Sequence, residues 1–82
     1  MTPPARRLAV KFGRLVLDRS PLDSIRENLE AELAAGVDRQ LLIDVHMELL
    51  RGFQRDGDEG AHDLTAEALD VLTDWVGAHY RI

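Results

Sequence analysis

Asp63, Glu67, Asp70 and Asp74 follow one another at spacings of four, three and four residues. On a helix that spacing puts all four carboxylates in one line. Like charges three and four residues apart repel, and a solvated helix face ordinarily mixes signs because opposite pairs support the helix. No base interrupts this line. The stripe is therefore read as a surface for a basic partner, against the simpler reading of a solvated face that gives solubility. The basic surface would belong to another protein, or to the chain's own first segment, where Arg7, Lys11 and Arg14 recur at nearly the same spacing. These seven residues are the candidate partner-binding set.

Other constellations carry less. Asp56 and Asp58 match the first and third ligand positions of an EF-hand loop and Glu67 the twelfth, but Gly60 stands where a fifth-position oxygen is needed. Ala61 stands where the sharp turn needs glycine. His46, His62 and His79 form no pair at four-residue spacing, no HExxH accompanies them and there is no cysteine. They are read as core or interface histidines, and no metal or cofactor is expected. Ser20 reads as a helix cap. The paired carboxylates lie on an open face without the desolvation that raises a pKa for acid–base work, so no catalytic residue is expected.

Two binding modes are disfavoured. Residues 21–35 and 39–55 can be laid over a helix-turn-helix, with Ala31, Ala35, Val37, Leu42 and Val45 at apolar places and Gly36 at the turn. Glu32, however, occupies a crowded position that normally takes a small residue, and the pair is acidic overall, whereas DNA affinity comes mostly from basic side chains on phosphate. The basic first segment would lie on an anionic membrane only by giving up Leu8, Phe12 and Leu15, which an 82-residue chain needs for its core.

The elements that position these residues follow from caps and periodicity. Thr2-Pro3-Pro4 opens a first helix on which Ala5, Leu8, Ala9, Phe12, Leu15 and Val16 share one face and Arg7, Lys11, Arg14 and Asp18 the other. The competing reading is a β-hairpin turning at Gly13-Arg14. Ser20-Pro21 with Asp23 starts a second helix, from about Pro21 to Ala35, with Leu22, Ile25, Leu29 and Leu33 as its stripe; Gly36-Val37 reads as its Schellman stop. Asp38 caps a third helix, about 39–55. Its polar face is narrow (Gln40, Asp44, Glu48, Arg51, Arg55), and Leu42, Val45, Leu49 and Phe53 line the middle of its apolar arc. A fourth helix runs from about Ala61 to Ala78, with Leu64, Ala68, Leu72 and Trp75 turned to the core.

The expected fold is all-α: a compact three- or four-helix bundle with the third helix central, in one domain over residues 1–82. Charge divides the chain. Residues 1–19 hold five bases and one acid, and residues 20–82 hold five bases and fourteen acids. No apolar run approaches the roughly 20 residues of a membrane span, and the N-terminus lacks a secretory apolar region, so a cytoplasmic protein is expected. Nine arginines to one lysine read as the codon usage of a GC-rich bacterial genome. The functional expectation is a non-catalytic acidic interaction module, of inhibitor, antitoxin or immunity-protein type. The alternative is a nucleic-acid-binding regulator using the second and third helices. If the first segment does not dock as a helix, Ile43, Met47 and Leu50 would stay open and serve as candidate dimer contacts in a homodimer.

Overall fold

The computed structural model describes the backbone of residues 2–80 and the side chains of residues 2–73. Four helices occupy them: α1 (Pro3–Leu17), α2 (Leu22–Ala34), α3 (Arg39–Asp56) and α4 (Glu59–Tyr80). The first segment is thus the helix and not the hairpin. Thr2 caps it through its side chain, which accepts from the Ala5 N–H at 3.4 Å, and Pro3 and Pro4 occupy first-turn positions where a missing N–H costs no hydrogen bond.

All three inter-helix turns close in the same way. At each helix end a residue with positive φ lets two successive N–H groups turn back onto the last-turn carbonyls, the Schellman arrangement. After α2 it is Gly36, with Val37 N–H bonded to Glu32 O; after α3 it is Gly57, with Asp58 N–H bonded to Phe53 O. After α1 it is Arg19, at φ 56°, with Ser20 N–H bonded to Leu15 O. A non-glycine residue there is strained by about 1–2 kcal/mol, and this one has a long-range use for its side chain. Its guanidinium reaches Asp58 at 3.0 Å, at the start of α4.

Two expected boundaries shift for identifiable reasons. Ser20 does not cap α2: Pro21 takes the cap position, without a side-chain hydrogen bond, and Ser20 gives its N–H to the α1 stop. Helix α4 starts at Glu59, two residues before the expected Ala61, because the Asp58 carboxylate accepts from the Ala61 N–H at 3.0 Å and so caps from further upstream. Asp38 caps α3 as its position predicts, accepting from Gln40 N–H at 3.3 Å.

Helices α3 and α4 form the principal packed pair, α1 lies against α3 and also reaches α4, and α2 packs chiefly on α4. The core draws on all four: Leu8, Phe12 and Val16 from α1, Ile25 and Leu29 from α2, Leu42, Val45 and Phe53 from α3, and Ala61, Ala68 and Leu72 from α4. Leu49 is half-buried and meets α1 where Gly13 is buried. Trp75 and Asp74 lie outside the described side chains. Truncating Phe53 to alanine removes a large buried ring from the α3 end of this core. We expect it to cost about 3–5 kcal/mol, read as a lowered midpoint in urea or thermal unfolding; a midpoint close to wild type would mean the ring is not packed.

Candidate functional site

The charged side chains sort themselves around one buried carboxylate. Glu32, on the last turn of α2, is only 7% exposed. Arg7 on α1 grips it with both guanidinium ends, Nη2 to Oε1 at 2.9 Å and Nη1 to Oε2 at 3.2 Å, and Lys11 Nζ one turn later reaches Oε2 at 2.6 Å. These charge-assisted hydrogen bonds hold the Glu32 carboxyl well below its ordinary range, down to about 2, and the Glu32 bond raises the Arg7 pKa in return. Lys11 also stands 5.6 Å from the centroid of the Phe12 ring, close enough for a cation–π contact.

This triad corrects one sequence expectation. Arg7 and Lys11 do not turn to the acidic line of their own chain; they are taken by Glu32, the residue that looked too large for its place. Arg14 is exposed and makes no ion pair among the described residues, and the same holds for Arg6. Burial of Glu32 was not legible from periodicity. The available signal was its position on the edge of the Ile25–Leu29 stripe, facing a helix with two bases one turn apart.

The acidic line is solvated as far as the side chains are described. Asp63, Glu67 and Asp70 are exposed on α4; Asp63 lies 3.6 Å from His62 Nδ1, and Glu67 and Asp70 have no base beside them among the described residues. Asp74 lies outside that set. Asp58 is held below the ordinary carboxylate range, first by the Ala61 N–H and then by Arg19. A groove of about 410 Å³ at the α3–α4 turn is lined by Asp58, Glu59, His62 and Asp63 among others. Among the described residues no three histidine or carboxylate groups converge in a way that would hold a metal ion. No described helix is long and apolar enough to cross a membrane.

Of the candidate dimer contacts, Ile43 packs against the core, Leu50 is half-buried, and Met47 remains 40% exposed. Because α1 is helical and docks, most of the α3 arc is covered within one chain. Val10 and Leu17, more exposed at 51% and 56%, lie instead on the outer face of α1. Leu8 and Phe12, the residues a membrane-bound α1 would insert, are fully buried.

His46 is a core histidine. It is fully buried, its ring sits 5.0 Å from that of Phe12, and Nδ1 lies 2.7 Å from Leu42 O. A carbonyl only accepts, so Nδ1 carries the proton and Nε2 is left as a bare acceptor, with no partner among the described residues. Burial lowers the His46 pKa, opposed in part by the Leu42 bond. His79 lies outside the described side chains. No family model, curated protein or solved structure matches this chain.

Two pH effects follow. The folded state holds Glu32 ionised down to about pH 2 while the unfolded chain protonates it near the ordinary 4.5, so its contribution is full above that value and disappears as pH falls towards 2. Glu32→Gln should lose about 2 kcal/mol of stability at neutral pH, with a wild-type–variant gap that closes along the acid limb of a urea-midpoint series. A gap independent of pH would mean the charge is not what holds the pair. His46 is neutral when folded and gains a proton more readily when unfolded, so stability is lost as pH falls below the ordinary 6.5 towards its lower folded pKa. Protection factors of the α3 amides, which divide out the intrinsic exchange rate, should fall as pH is lowered from about 7.5 to 5.5, and less so in His46→Gln.

Proposed function

We propose that this chain is a non-catalytic protein-interaction module whose α4 face, carrying Asp63, Glu67, Asp70 and Asp74, receives a basic protein surface. The observation that supports it is the division of charge around Glu32. Two bases with the right spacing to neutralise the acidic line are committed elsewhere, and Glu67 and Asp70 stand exposed with no base beside them. An uncompensated line of this kind costs its own helix a few tenths of a kcal/mol per like-charged neighbour, a cost that a cationic partner removes. Such a face attracts its partner at long range and orients it, and the association is sensitive to salt.

The physical class is as far as this reading goes: a small acidic helical bundle acting by contact, in the manner of an inhibitor, antitoxin or immunity partner. Its setting is proposed to be the cytoplasm. The test is capture by the immobilised chain from an extract of its source cells at low ionic strength, with elution by salt. We expect a basic protein to be retained by wild type and lost by Asp63→Lys/Glu67→Lys/Asp70→Lys, whose melting curve stays near wild type because all three positions are exposed. Retention of the same protein by the triple variant, or retention by wild type of neither a basic protein nor further copies of the chain itself, would overturn the reading.

A further inference from the structure

The outer face of α1 is the counterpart of the acidic line. Arg6, Val10, Arg14 and Leu17 recur at spacings of four, four and three, and all four are exposed. Val10 and Leu17 are two of the three large hydrophobic side chains exposed among the described residues. Among the described residues Arg6 and Arg14 make no ion pair, while Arg7 and Lys11 of the same helix are bound to Glu32. The two arginines lie about 12 Å apart along the axis, and Asp63 and Asp70 about 10.5 Å apart, at 1.5 Å per residue. Ala66, one turn from each of those acids, is small and partly exposed, which gives an apolar side chain such as Val10 a place to rest between the ion pairs.

We propose that two copies of this chain associate reciprocally, the outer face of α1 of each lying along the acidic line of α4 of the other. The proposal rests on the reading of that line as a partner surface and names a second copy as its occupant. Reciprocity matters because one pairing of two helices is small. A standard interface takes about 800 Å² per partner, roughly a seventh of this chain's 5296 Å² surface, and a twofold arrangement engages both faces of each copy at once. The ion pairs set orientation, and Val10 and Leu17 supply the apolar contact that exposed charges do not.

The test is sedimentation equilibrium of the full chain across micromolar to millimolar concentration. At low ionic strength the mass should rise from 9.2 kDa towards twice that value, and high salt should weaken the association several-fold. Arg6→Glu/Arg14→Glu and Asp63→Arg/Asp70→Arg should each be monomeric alone, because each sets like charges at the positions that the reciprocal pairing brings together. Mixed in equal amounts they should form a dimer, since both reciprocal pairings are then complementary. Each double swap moves the net charge of −5 by four, so both variants stay negative and net attraction does not account for a mixed dimer. Val10→Ser/Leu17→Ser, which leaves every charge in place, should weaken the wild-type dimer at least tenfold. Circular dichroism of each variant checks that the helices persist. A monomeric wild type throughout, dimers in either swap alone, or no association in the mixture would overturn the proposal. A monomeric wild type that still captures a basic protein from extract would leave the acidic face as a partner surface and remove only the second copy as its occupant.

Discussion

The Glu32 carboxylate is the constraint around which the polar part of this protein is arranged. It sits where α2 ends, and the same residue supplies the backbone carbonyl that closes the Schellman turn with Val37. Burying a carboxylate costs several kcal/mol, and a helix position tolerates it only if nearly every lone pair is used. Arg7 and Lys11 do this from one face of α1. The result ties α1 to α2, two helices whose apolar packing is directed mainly to α3 and α4. A bridge of this kind adds less to net stability than its bond count implies, because the attraction mostly repays desolvation. Its larger effect is to select one rotation of α1 about its axis.

That rotation determines what the rest of the molecule shows to solvent. With Arg7 and Lys11 directed at Glu32, Leu8, Phe12 and Val16 fall into the core and Val10 and Leu17 are turned outward. Arg6 and Arg14 go outward with them. For the same reason Glu67 and Asp70 on α4 have no base beside them among the described residues. A charge asymmetry that looks, in the sequence, like a basic head set against an acidic body is therefore resolved in the fold into one triad around a buried carboxylate and two solvent faces of opposite sign.

The second buried polar group works differently. His46 stays neutral because burial disfavours its charged form: Phe12 packs against its ring, and among the described residues its one hydrogen bond is to a carbonyl of its own helix. Its bare Nε2 forfeits a hydrogen bond that water would supply, a cost of about 1–3 kcal/mol in a domain whose total stability is of the order of 5–15 kcal/mol. Arg19 is a third local sacrifice. It accepts left-handed backbone strain where the other two turns use glycine, and returns an ion pair that joins the end of α1 to the cap of α4. Both groups show a small core being held in register by contacts that are individually unfavourable at one end.

Much of the fold is legible along the chain because its causes are local. Thr2 and Asp38 cap through their own neighbours, Gly36 and Gly57 stop their helices because the left-handed conformation costs glycine nothing, and the stripes of Leu8-Phe12 and Leu42-Val45-Phe53 point one way because a helix repeats every 3.6 residues. The choice of ion partners is not local. Arg7 could pair with Asp63 or Glu67 on spacing alone, and it is the packing of α1 and α2 about the core that brings Glu32, twenty-five residues away, within 2.9 Å. The start of α4 likewise depends on Asp58, whose capping carboxylate is steadied by Arg19 from across the bundle. The Thr2 and Asp38 caps, the glycine stops and the core-facing stripes were determined by the sequence alone, since each follows from neighbours within a turn or two. Which charges are buried and which remain exposed was decided only by tertiary structure, because a charge pairs with whatever helix packing brings within reach.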